Sequence, residues 1–85
     1  MTVREKLEER GLYEVVIFDN PSYDEAFVGL SEDNRAIYDF DKMVECLTAD
    51  GKTTEEEAIE FIEYNTIRAL PYFQGAPIIL FRVEE

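Results

Sequence analysis

The segment Thr53–Phe81, TTEEEAIEFIEYNTIRALPYFQGAPIILF, decides the fold. It reads as a capped helix to Leu70, a Pro/Gly break, and a short apolar strand. Thr53 and Glu56 stand at the spacing of a capping box, in which the threonine hydroxyl accepts from the Glu56 amide and the Glu56 carboxylate returns to the cap amide. Glu55, Glu56 and Glu57 crowd the first turn, where the positive end of the helix dipole favours acids. At helical periodicity Ala58, Ile59, Ile62, Thr66, Ala69 and Leu70 share one stripe, the face expected in the core. Pro71 ends the run, since it lacks an amide and disfavours helical geometry at Leu70. The run Ile78–Phe81 is too short for a helix and branched enough for a strand covered on both faces. Pro77 suits its first position, where a missing donor costs least.

Working outward, Thr2–Arg10 predicts a short helix, with Thr2 and Glu5 at capping-box spacing and Gly11 as its stop. Tyr13–Phe18 is a strand by composition, and Asp19-Asn20-Pro21-Ser22 is a turn cluster. Glu25–Leu30 and Arg35–Tyr38 are two further strands around the turn Ser31–Asn34. The short connections imply an antiparallel meander. Asp39 or Asp41 then starts a helix whose buried stripe is Phe40, Met43, Val44 and Leu47. The expected fold is α+β: a small antiparallel sheet of three or four strands, helices mainly on one face, in the order α-β-β-β-α-α-β. The C-terminal strand is expected inside the sheet. Residues 1–85 make a single globular domain, with no room for a second core.

Composition excludes several functions. Twenty acids against eight bases give a formal charge of −12, which repels nucleic acid and anionic membranes and suits a protein partner that is itself basic. No apolar run approaches the ~20 residues of a membrane helix. The N-terminus has no apolar signal region, and a single cysteine cannot pair internally, so the expected compartment is the cytoplasm. The chain has no histidine, which removes the commonest general base and metal ligand. Cys46 lies beside an apolar helical stripe with no base to activate it, the setting of a packed, inert thiol. Asp19, Asn20, Ser22 and Asp24 lack the central glycine and closing glutamate of a calcium loop, and read as turn residues. No catalytic residue, metal site or cofactor is expected, and the chain reads as non-enzymatic.

Two surfaces remain as candidates. Tyr64, Arg68, Tyr72 and Phe73 combine residue types favoured as interface anchors, and form the expected protein-binding patch. Glu56, Glu60 and Glu63 form an acidic face, which is either a solvated helix side or a row of carboxylates substituting for phosphates. Asn65 and Thr66 fall among core-facing positions, so Asn65 is expected to be buried and bonded to neighbouring backbone.

The block YNTIRALPY at Tyr64–Tyr72, with TEEEAIEFIEYNT before it and APII after it, resembles a segment of small uncharacterised proteins of bacteriophages and prophages. The likeness runs from about Ala26 to Phe81. It implies a phage or mobile-element origin and carries no mechanism. The reading that follows is a small acidic protein-binding module. The alternative is a nucleic-acid mimic that inhibits a host DNA- or RNA-binding defence enzyme, of anti-restriction or anti-CRISPR type.

Overall fold

A computed structural model describes residues 2–19 and 22–83. Helix α1 (Val3–Glu9) is followed by an irregular segment and a 3-10 turn (Asp24–Ala26). Strands β1 (Phe27–Leu30) and β2 (Ala36–Asp39) come next, then helices α2 (Phe40–Thr48) and α3 (Glu55–Phe61). The chain continues from α3 through a π turn (Ile62–Thr66) and a 3-10 turn (Ile67–Tyr72) into strand β3 (Ile78–Leu80). The protein is a small α+β domain.

Local chemistry explains most of these elements. Thr2 and Glu5 complete the capping box of α1, with bonds of 3.2 and 3.1 Å, and Gly11 takes a left-handed φ of 75° beyond its end. Between β1 and β2, the Ser31 hydroxyl accepts from the Arg35 amide at 3.0 Å, and Asn34 supplies the positive φ that closes the turn. Asp39 ends β2 and caps α2, its carboxylate accepting from the Lys42 amide at 3.3 Å. Met43 and Val44 are buried from α2, and Phe40 and Leu47 pack at the margin of the core, as the helical spacing predicts.

The sheet departs from expectation in three respects. Its order is β1-β2-β3, with β1 and β2 antiparallel but β2 and β3 parallel. The parallel pairing is sterically available because α2 and α3 form a long crossover between the two strands. It follows that β3 is an edge strand, not an interior one, and Leu80 is 40% exposed. Finally, Tyr13–Phe18 is not a strand. Its apolar side chains are drawn onto the core without a ladder: Val15 is buried, the Phe18 amide donates to the Tyr38 hydroxyl at 3.3 Å, and Arg4 reaches the Tyr13 carbonyl at 3.4 Å. Phe18 packs edge-on to Tyr23 and tilted against Tyr38, with centroids 5.6 and 4.7 Å apart. Of the expected turn Asp19–Ser22, Asn20 and Pro21 lie outside the described residues.

Side-chain alternation sets the two faces of the sheet. Ala36, Tyr38 and Ile79 belong to the core formed with Val3, Leu7, Met43, Ala58 and Ile62, whereas Ile37 and Ile78 stand outside it. Helices therefore cover one face.

The helix after Thr53 also differs in detail. The capping box is Thr54 with Glu57, at 3.2 and 3.1 Å, one residue later than the Thr53/Glu56 pair. The sequence TTEEE satisfies both frames, and the later one leaves Thr53 partly buried. Ala58 and Ile62 are fully buried as expected, but α-helical geometry stops at Phe61, well before Pro71. Pro71 sits inside the 3-10 turn, where it has no amide to donate to the Arg68 carbonyl three residues back. The π turn carries more residues per turn than an α-helix and swings Asn65 off the core stripe, so Asn65 is exposed and not buried.

These assignments predict that Thr54→Ala loses about 1 kcal/mol of stability while Thr53→Ala loses much less. Ile62→Ala should cost roughly 2–5 kcal/mol. Urea melts of the three variants check this; equal losses at the two threonines would contradict the observed cap.

Candidate protein-binding surface

The residues from Phe61 to Phe73 form a surface that the helix geometry could not specify. Alternation of α, π and 3-10 turns breaks the single wheel into short arcs, so apolar side chains leave the core stripe at several azimuths. Tyr64 is 64% exposed, Tyr72 87% and Phe73 57%. Arg68 lies over the Tyr64 ring, 5.4 Å from its centroid, a cation–π geometry that holds both side chains on the surface. Tyr64 and Arg68 are thus brought together. Phe73 lies further along, at the rim of two clefts that share it with Leu70.

The first cleft, about 250 Å³, runs between the extended segment and the π/3-10 stretch, and Val16, Phe18, Thr66 and Leu70 contribute to its walls. Tyr23 lines its floor. Its backbone is left-handed, with φ 52°, a conformation that costs a bulky residue on the order of 1–3 kcal/mol. The Tyr23 hydroxyl is buried and has no hydrogen-bond partner among the described residues. Burial pushes its pKa up; the nearby Thr66 side chain pulls it back in part without reaching hydrogen-bond geometry. The second cleft, about 600 Å³, lies between the 3-10 turn and β3.

On the other candidate surface, Glu56, Glu60 and Glu63 are all exposed, the first two on α3 and the third on the π turn. None of them forms an ion pair among the described residues. Cys46 is half-buried, and burial followed by the Glu25 and Glu45 charges pushes its thiol pKa up, away from a reactive thiolate. Among the described residues no cluster of carboxylates and thiol could hold a metal ion, and no helix is long and apolar enough to cross a membrane.

Sequence reasoning missed Leu80 and Phe81 as surface residues, because their apolar run signals burial while their position at the sheet edge exposes them, Phe81 to 59%. It also missed Tyr23, whose φ and buried hydroxyl have no local sequence signal beyond a neighbouring turn. Comparison with protein-family models, curated proteins and solved structures found no match.

Exposure and the cation–π pair predict that Tyr64→Ala and Arg68→Ala each change folding stability by no more than about 1 kcal/mol. Chemical denaturation of both variants tests this; a larger loss would mean that the pair supports the fold and is not free for a partner.

Proposed function

We propose that the protein is a small acidic, non-catalytic protein-binding module of phage or mobile-element origin. The observation that carries this reading is the concentration of exposed Tyr64, Tyr72 and Phe73 on one short stretch beside two apolar clefts. Single exposed apolar residues are ordinary, but three exposed aromatics within ten residues, with Arg68 over the Tyr64 ring, have the residue types of an interface core. Tyr and Arg anchor such surfaces through large contact area and directed hydrogen bonds. The formal charge of −12 favours a partner of opposite sign and quickens its approach.

The exposed row Glu56, Glu60 and Glu63 supports the second reading, a mimic of nucleic acid acting on a host defence enzyme. Glu56 and Glu60, one α-helical turn apart on α3, stand ~6 Å apart along the axis, near the spacing of successive phosphates on an extended strand, and Glu63 follows on the π turn. The two readings oppose each other in their response to salt. Apolar anchors tolerate it, whereas ionic contacts weaken steeply as screening lengths fall.

Titration of a captured partner against a triple variant (Glu56→Gln, Glu60→Gln, Glu63→Gln) and against Tyr64→Ala separates them. The module reading predicts that Tyr64→Ala weakens binding by about tenfold or more, that the glutamine row changes it little, and that salt dependence is shallow. Loss of binding on neutralising the row, with Tyr64→Ala harmless, would replace the module by the mimic.

A further inference from the structure

The cleft of about 250 Å³ beside the π turn has apolar walls and a polar floor. Phe18, Leu70, Phe73 and Pro77 contribute to the walls. At the floor Tyr23 is 2% exposed, and its hydroxyl is shut off from solvent without a hydrogen-bond partner among the described residues. That hydroxyl lies by the Thr66 side chain, which lines the same cleft without coming into hydrogen-bond geometry. A buried donor that lacks an acceptor is costly, and native proteins keep few of them.

The backbone holds the floor in this arrangement from both sides. Tyr23 stands in a left-handed conformation, φ 52°, which a bulky side chain avoids unless its surroundings impose it. The π turn Ile62–Thr66 brings Thr66 to the cleft and leaves Asn65 exposed at its mouth. Turns of this kind recur at functional sites.

The lining also selects the occupant. Its body must be apolar to cover Phe18, Leu70 and Phe73. It must bring an acceptor, because burial pushes the Tyr23 pKa up and the phenol keeps its proton at neutral pH. It must be neutral where it is buried. No lysine or arginine lines the cleft to pair with an anion, and the Asp19 carboxylate at the rim repels one. Asp19 is exposed, so water weakens its hold on a cation as well. The volume lies below the range of roughly 300–1,000 Å³ that drug-sized ligands occupy, and suits one ring with a short substituent.

We propose that this cleft is a binding site for a small neutral molecule, a compact apolar ring carrying a carbonyl oxygen that accepts from the Tyr23 hydroxyl. The Thr66 side chain turns aside to admit that oxygen, and the Asn65 carboxamide meets any polar group left at the mouth. The site goes beyond the protein-binding reading and does not rest on it, since its occupation leaves Tyr64, Arg68 and Tyr72 at the surface.

The probes are acetophenone, ethylbenzene, which keeps the ring without the oxygen, and benzoate, which adds a charge. Binding to the full chain is followed by titration of amide chemical shifts. Acetophenone is expected to bind with a Kd of about 1 mM or tighter, in the range of a compact fragment, and to shift Tyr23, Thr66 and Leu70. Ethylbenzene should bind roughly five- to tenfold more weakly, the worth of one neutral hydrogen bond, and benzoate more weakly than acetophenone. Tyr23→Phe should erase the preference for acetophenone over ethylbenzene and unfold in urea no earlier than the parent, because the deleted hydroxyl has no partner in the fold. Ala69→Leu, at a half-buried position of the lining, should abolish binding of both by filling the cleft. No binding of acetophenone up to its solubility limit, equal affinity for the three probes, or shifts confined to Tyr64, Tyr72 and Phe73 would each overturn the proposal. A Tyr23→Phe variant less stable than the parent would overturn it too, since the hydroxyl would then serve the fold.

Discussion

The structure depends on the Asp39 carboxylate, buried completely at the joint between β2 and α2. One oxygen caps α2 through the Lys42 amide, and the other accepts from Arg82 Nε at 2.5 Å. Burial alone would raise the pKa of this group. The Lys42 amide and then the Arg82 guanidinium outweigh that cost and hold the carboxyl below its ordinary value. A single anion thereby fixes the helix start, the end of the central strand, and the chain leaving β3. Arg82 is half-exposed, so its attraction is moderated by water; the buried carboxylate without it would still lack a partner for one oxygen. This pair holds the chain leaving β3 against the end of β2. Phe40 and Phe81, stacked at 4.9 Å just beyond Asp39 and Leu80, reinforce the same joint.

Much of this was legible in the residues. The capping box at Thr2, the Ser31–Asn34 turn, the stripe of α2 and the α+β class all come from short-range patterns that the structure repeats. Asp39 was visible as a helix start, but not as the partner of Arg82, because a pairing across more than forty positions leaves no local trace. The same limit explains β3. Its apolar run signals a strand, yet strand order and direction are set by where α2 and α3 return the chain. Tyr13–Phe18 has strand composition because apolar, branched residues suit any extended, half-buried segment, and nothing in the run reveals whether a ladder partner exists.

The candidate surface was legible in its residues and not in its shape. Tyr64 and Arg68, four apart, predict a neighbouring pair in any helix, and they are one. A wheel of constant pitch puts Asn65 on the core side and cannot anticipate the π turn that exposes it. Beyond the end of α3 the irregular stretch leaves clefts on both sides of Leu70.

The dependence on Asp39 is tested most directly by its own charge. A carboxyl whose folded pKa is depressed stabilises the fold above its unfolded pKa, about 4, and loses that contribution as pH falls through the folded value. Unfolding free energies of the parent and Asp39→Asn should be compared by urea melts from pH 7 down to pH 2. Asparagine keeps the capping oxygen and removes the charge. The parent should be more stable near neutral pH, and the gap should close below about pH 4 as Asp39 takes up its proton. Equal stability of the two at pH 7, or a gap that stays constant across the range, would contradict it.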